Sequence, residues 1–269
     1  MFEIDREKCI KCGACAEVCL YGSILMTAEG PKEKKEVCMK CGHCVAYCPT
    51  GALSNINAPK DRMNPYEKSL ECTSAQAEQF LTSLRSVRKY LDKPVEREKI
   101  GQILDVARMA FTGGNSQGIS YIAIDNREKL RKFKELIIPT YATKVKDNPK
   151  LQGFKALMEH CTVDGVDTIL WDAPCLVLAK SDTLPMAIAR LNSVISLTYA
   201  RLYAQTLGIG SCWAGAVEGA IINKLPELRE LLELGEDFDK VTSAVMFGYP
   251  KYKQQRIPNR NKLKLQWKG

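Results

Sequence analysis

Eight of the twelve cysteines form two runs of identical spacing. Cys9, Cys12, Cys15 and Cys19 are each followed, 29 residues later, by Cys38, Cys41, Cys44 and Cys48. The segments CIKCGACAEVC and CMKCGHCVAYCP have the x2, x2, x3 spacing with which thiolates hold 4Fe-4S clusters. Three thiolates on a short wrapped loop reach three corners of one iron-sulfur cube, and the fourth, on the following turn, crosses to the other. Cluster one should therefore use Cys9, Cys12, Cys15 and Cys48, and cluster two Cys38, Cys41, Cys44 and Cys19. Structural zinc, the competing use of such thiols, prefers four tetrahedral ligands in two separated pairs and has little use for four cysteines so close together, twice. Gly13 and Gly42 fall at matching places between ligands, where a side chain would crowd the cluster and backbone N–H groups can point at sulfur.

The elements that position these thiols must be small. A segment of residues 1–58 cannot bury a large core, so the clusters are expected to hold it folded. Residues 59–79 are polar, contain Pro59 and Pro65 and show no sustained apolar period, so a linker is expected there. Residues 80–269 mix two periods. VEREKIGQILDVARMA has helical spacing with Pro94 suited to a first turn, NREKLRKFKELII reads as a capped helix, and PMAIARLNSVISLTYARLYAQTLG as a long central helix stopped at Gly208. SYIAI, APCLVLAK and VTSAVMFGYP read as strands. Helices and short strands mixed in this way predict an α+β fold.

Residues 1–58 resemble the bacterial two-cluster ferredoxin family, through both cysteine runs and the ending CPTGAL at 48–53, with Leu20 where a proline is usual. Downstream, RSVRKY at 85–90, read as opening a helical segment, TGGNSQ at 112–117, GIGSCWAG at 208–215 and GYP at 248–250 follow in order. Together with the basic tail they resemble the nitroreductase family of FMN enzymes over residues 80–269. That resemblance implies an α+β domain that forms a homodimer through extended helices and carries FMN at the subunit interface. Arg85, Ser86 and Arg88 match the motif that binds the FMN phosphate and ribityl chain, and guanidinium forks suit phosphate oxygens. Read locally, the two arginines would be solvated residues at a helix start. Arg260, or Lys262 beside it, matches the basic residue that reaches the phosphate from the tail. Asn115 and Gln117 match side chains that bond the ribityl chain and the ring edge, and Trp213, Ala214 and Gly215 match the loop whose backbone passes flavin N5.

Other residues support blander roles. Cys212, Cys72, Cys161 and Cys175 read as small buried fillers, His43 could tune cluster two, and His160 lies at an expected helix end where solvation suffices. Composition excludes several classes. At 45% hydrophobic and 26% charged residues the chain is an ordinary globular protein, and no run suggests a membrane span. The opening MFEIDREKC lacks an apolar leader, so a cytoplasmic, thiol-reducing setting is expected. The net charge of +8 lies outside residues 1–58 and concentrates in 251–269, KYKQQRIPNRNKLKLQWKG. No recognisable binding module accompanies it, so nucleic acid is not an expected partner.

The joint expectation is an oxidoreductase that passes electrons between clusters and FMN to reduce an electron-poor organic acceptor such as a nitroaromatic, quinone or activated alkene. Two alternatives stand beside it: NADH or NADPH oxidised at FMN with the clusters feeding a ferredoxin-like partner, or a carrier or redox sensor without a substrate of its own.

Overall fold

The computed structural model describes residues 1–146, 152–222 and 225–269. The chain divides into two compact units: Met1–Cys72 with Gly114–Ser116, and Thr73–Gly113 with Gln117–Gly269.

In the first unit the 29-residue repeat of sequence is a repeat of backbone. The order is β1 (Phe2–Ile4), α1 (Ala14–Glu17), β2 (Ile24–Thr27), β3 (Gly30–Glu33), α2 (His43–Ala46) and β4 (Leu53–Asn55). β1 pairs antiparallel with β4, and β2 with β3. α1 and α2 are single turns, too short to form by themselves, and each is launched by a glycine in the left-handed region, Gly13 at φ 85° and Gly42 at φ 75°. Lys11 and Lys40, at φ 56° and 55°, repeat the same backbone path one step earlier. The buried core is small: Cys15, Ile24, Val45 and Leu53 cluster together, with Phe2, Ile4, Met26 and Met63 packed against them, and Ala52 is buried beside Leu53 in sequence. Those few side chains offset little of the ordering entropy of such a chain length.

The 59–79 segment contains two 3-10 turns, Lys60–Arg62 and Lys68–Leu70, and the start of α3 (Ser74–Ser83). A capping box starts α3: the Gln76 N–H donates to Thr73 Oγ1 and the Thr73 N–H donates to Gln76 Oε1. No residue of α3 is buried.

The remainder of the second unit comprises α4 (Arg97–Ala107), β5 (Ser120–Ile124), α5 (Arg127–Lys146), α6 (Gln152–Thr162), β6 (Cys175–Lys180), α7 (Met186–Thr206), β7 (Gly210–Trp213), α8 (Gly215–Ile222), α9 (Pro226–Leu231) and β8 (Val241–Gly248). Four strands form an antiparallel sheet in the order β5-β6-β8-β7. Alternate residues of the central strands face opposite layers. Cys175, Val177, Ala179, Val245 and Phe247 pack with Ile100, Ile103 and Ala107 of α4 and Leu197, Ala200 and Ala204 of α7. Leu176, Leu178, Ala244 and Met246 pack with Phe133 and Ile137 of α5, Met158 of α6, Val217 of α8 and Leu228 of α9. A sheet covered on both faces explains why β6 and β8 read as continuous apolar runs. Each fully buried large side chain contributes roughly 1.5–3 kcal/mol.

The expected strands at 120–124, 175–180 and 241–248 are present, and the long helix ends before Gly208 at φ 70°. Asn126 caps α5 by accepting from the Lys129 N–H. Three expectations need correction. Pro94 precedes α4, whose N-cap is Glu96. RSVRKY does not open a helix: it is extended, bridging Ser86 to Ser211 in parallel and Tyr90 to Pro250 in antiparallel sense. The segment GSCWAG, expected as a loop past the flavin, begins as strand: Gly210–Trp213 is β7, because pairing with β8 satisfies its backbone despite its glycine.

Candidate functional sites

The first unit contains two small hollows. Cys9, Cys12, Cys15 and Cys48 line one, with Ile4, Met26 and Leu53. Cys19, Cys38, Cys41 and Cys44 line the other, with Ser23, His43 and Asn55. The fold thus gathers the thiols in the crossed sets expected from the repeat, Cys48 joining the first run and Cys19 the second. Among the described residues no three His, Cys, Asp or Glu side chains are grouped to hold a single ion; each quartet instead rings a space, which suits a cube of iron and sulfur better than one tetrahedral metal.

Backbone N–H groups point at these sulfurs. Ser23 N donates to Cys19 Sγ at 3.3 Å and Ala52 N to Cys48 Sγ at 3.2 Å, while Lys40 N lies 3.4 Å from Cys38 Sγ. Burial pushes the Cys15 and Cys44 thiols up. Burial also acts on Cys48, but the N–H groups of Leu53, Ala52 and Thr50 and the Thr50 hydroxyl outweigh it and leave that thiol below its ordinary value. Binding iron requires thiolates, and such donors favour the charged form. His43 is exposed and stacks edge-on against Tyr47. Asn115, at φ 51°, groups with the first unit and its Nδ2 donates to the Met39 carbonyl at 2.9 Å.

The second unit brings the arginine motif beside β7. Val87 N donates to the Ser211 carbonyl at 3.0 Å, and Leu91 N to that of Tyr249 at 2.8 Å. Gly210 permits this approach, since a Cβ there would sit 2.7 Å from Val87 Cγ2 and 2.9 Å from Pro250 Cγ. Arg85 is partly committed: its Nη1 donates to the Thr82 and Leu84 carbonyls and its Nη2 to the Pro258 carbonyl of the tail. Its Nε is buried without a partner. Ser86 and Arg88 are exposed, and the Arg88 guanidinium lies 5.8 Å from the Trp171 ring centre. Sequence reasoning missed Arg201 on α7. Its Nε donates to Ser211 Oγ at 3.2 Å, and burial, reinforced by the nearby Arg88 charge, lowers its guanidinium below the ordinary value. No carboxylate among the described residues pairs with Arg88 or Arg201. Arg88 and Arg201 are thus two cations close enough to feel each other's charge and without a described carboxylate partner, a combination that attracts an anion. The available signal was a charge between Ala200 and Ala204 on the packed side of a helix.

Of the three backbone donors expected near a flavin, Ala214 is already used: its N–H donates to the Ala244 carbonyl at 2.9 Å. Trp213 is half-buried and Gly215 exposed at the start of α8. Gln117 is exposed at φ 49°, with its N–H on the Thr112 hydroxyl. Arg260 and Lys262 lie in the exposed tail, where the Arg260 N–H bonds Asn259 Oδ1. Cys161, Cys175 and Cys212 are buried as expected, and burial pushes Cys175 up to about 12. Cys72 is exposed, because the segment containing it has no buried face. His160 Nδ1 is 2.7 Å from Asp164 Oδ2 at the end of α6.

An antiparallel sheet between helical layers, an extended arginine-bearing segment bridged to its edge and a separate unit with two thiol quartets define a redox protein of two parts. Residues 81–249 match the Nitroreductase family and residues 8–52 the 4Fe-4S dicluster domain. The chain belongs to the nitroreductase family and is an oxidoreductase with an N-terminal 4Fe-4S dicluster domain. It is 26% identical over 180 residues to an FMN reductase [NAD(P)H] of Bacillus subtilis, covering 66% of this chain and 67% of the relative. In structure it resembles a nitroreductase with bound FMN from Bacteroides fragilis, at TM-score 0.56 and 22% identity over 71% of this chain and 99% of the other. It also resembles a nitroreductase with bound FMN from Desulfitobacterium hafniense, at TM-score 0.57 and 18% identity over 71% and 98%. At those identities the structural likeness is one of fold.

Proposed function

We propose that this chain uses FMN and two 4Fe-4S clusters to reduce an electron-poor organic acceptor, nitroaromatic, quinone or activated alkene, with electrons supplied through the clusters. The observation that carries this reading is the coexistence, in one chain, of two crossed thiol quartets and a nitroreductase-family unit in which Arg88 and Arg201 have no described carboxylate partner. FMN, when bound, supplies two-electron exchange with organic molecules and one-electron exchange with clusters. The chain's own residues do the rest. Cys9, Cys12, Cys15 and Cys48 hold the first cluster, and Cys19, Cys38, Cys41 and Cys44 the second. Arg88 and Arg201 neutralise the phosphate, with Ser86 and the Arg85 Nε as further donors and Arg260 reaching in from the tail. Asn115 and Gln117 serve the ribityl chain and ring edge. Trp213 and Gly215 offer backbone N–H groups where negative charge grows on reduction, and protons come from solvent.

A second direction of flow, NADH or NADPH oxidised at FMN with the clusters feeding a ferredoxin-like partner, is favoured by the NAD(P)H use in the name of the Bacillus subtilis relative. The exposed Ile188, Leu191 and Tyr199 of α7, with Phe111 beside Tyr199, support assembly as a homodimer. Cluster-bound thiols suit the reducing cytoplasm. Among the described residues no helix is long and apolar enough to cross a membrane. The test is anaerobic turnover of a nitroaromatic and a quinone with either reduced ferredoxin or NAD(P)H as donor. Acceptor reduction is expected, and loss of turnover with both donors in cluster- and FMN-replete protein would overturn the proposal.

A further inference from the structure

The two halves of the first unit are matched closely enough that their differences can be read as chemistry. The Ser23 N–H on Cys19 Sγ and the Ala52 N–H on Cys48 Sγ are the same contact 29 residues apart, 3.3 and 3.2 Å long, so they affect both hollows alike. The 29-residue step also pairs Met26 with Asn55, and each lines its own hollow. One is a thioether with no proton to donate; the other is an amide. Asn55 is 3% exposed, and its Nδ2 lies 3.8 Å from Cys44 Sγ and 3.9 Å from Cys38 Sγ. Its orientation is fixed independently of the sulfurs. Asn55 Oδ1 accepts the Asn57 N–H at 2.9 Å, and since a backbone N–H can only donate, the amide nitrogen must face the thiols. On the first quartet the other side-chain contact is the Thr50 hydroxyl, 3.8 Å from Cys48 Sγ, with the Leu53 and Thr50 N–H groups acting on the same sulfur; on the second, Lys40 N lies 3.4 Å from Cys38 Sγ. Thr50 is exposed, where water offers the same hydrogen bond, whereas Asn55 acts in a dry setting.

Hydrogen bonds to ligand sulfurs raise the potential of an iron-sulfur cluster, because reduction adds negative charge that the donors stabilise. We infer that Asn55 is a positioning residue for electrons: its amide sets the Cys19, Cys38, Cys41 and Cys44 cluster above its partner in reduction potential. This rests on the reading that each quartet holds a 4Fe-4S cluster. The first electron taken by the domain then rests on the second cluster; one entering at the first moves on, oxidising that cluster by one electron as it reduces the other, with no atom transferred.

The experiment is an EPR-monitored redox titration of the full chain loaded anaerobically with both clusters. The wild type should show two separate one-electron waves, and Cys12→Ala, left with the second cluster, should keep the upper one. In Asn55→Met the upper wave should move down, the reduced-to-oxidised ratio at fixed poise falling about tenfold, which is about 59 mV for one electron, while the lower wave stays. Met26→Asn, which leaves Asn55 in place, should raise the lower wave. Equal potentials in the wild type, or an Asn55→Met protein with both clusters and unmoved waves, would overturn the inference. Should Asn55→Met lose iron, a Met26→Asn protein with an unmoved lower wave would overturn it equally. A wild-type chain that takes up no iron-sulfur cluster would refute the underlying reading instead.

Discussion

Replacing Arg201 by methionine should move stability and cofactor affinity in different directions. Arg201 sits on α7 with its Nε on Ser211 Oγ at 3.2 Å, and Arg88 is its charged neighbour. Methionine keeps the length and apolar stem while removing the charge. Without FMN, the change gives up one hydrogen bond to a hydroxyl, worth about 1 kcal/mol. It also relieves a partly buried cation that no carboxylate balances, a cost that runs to several kcal/mol per fully buried ion. The apoprotein should therefore unfold at an unchanged or higher urea concentration. A charge-assisted bond to phosphate is worth about 1.5–3 kcal/mol, so FMN should bind about tenfold to about 150-fold more weakly. Flavin fluorescence titration of the apoprotein measures one quantity and urea denaturation the other. A destabilised apoprotein with unchanged FMN affinity would refute the reasoning, since Arg201 would then be a structural residue.

Cys12→Ala should remove one cluster and destabilise the first unit while FMN stays bound; iron analysis showing both clusters retained would contradict the ligand set. Gly210→Ala should displace the extended 85–90 segment, because its Cβ would meet Val87 at 2.7 Å. A loss of about 1–3 kcal/mol in urea denaturation is expected, with weaker FMN binding in the same preparation. Acid should act through Glu96, which the Tyr249 hydroxyl, its own backbone N–H, Lys99 and Lys93 hold at about 2, below the ordinary 4.5. A lowered carboxylate contributes stability that is complete above about pH 4.5 and lost as pH falls through about 2. Glu96→Gln should therefore show a shallower decline in urea midpoint than the wild type between those limits; identical slopes would count against it.

The first unit was legible from sequence because ligand chemistry dictates spacing: a cube needs thiols at fixed intervals, and Gly13 and Gly42 mark the left-handed turns that wrap it. In the second unit, helical and strand periods identified α4, α5, α7, β5, β6 and β8, where burial of one face or both imposes a pattern. What periodicity missed was determined by pairing between distant segments. RSVRKY alternates charge and size without an apolar face, and its extended form rests on single bridges to Ser211 of β7 and to Pro250. GIGSCW is rich in small residues that usually mark turns, yet β8 supplies its backbone partners. Arg201 was hidden because a charge on a long, mostly apolar helix that also carries Arg190 looks solvated until Ser211 and Arg88 are seen around it. The segments 147–151 and 223–224 lie outside the described residues.

The central claim is that clusters and flavin exchange electrons within one chain. It is tested most directly by following the visible spectrum of the anaerobic, cofactor-replete protein as reduced ferredoxin, and separately NADH or NADPH, is added, with flavin and cluster bands resolved. The account predicts that one donor bleaches both chromophores in sequence: ferredoxin the clusters and then the flavin, or nicotinamide the flavin and then the clusters. Clusters that reduce while the flavin stays oxidised, and a flavin that reduces while the clusters stay oxidised, would contradict it.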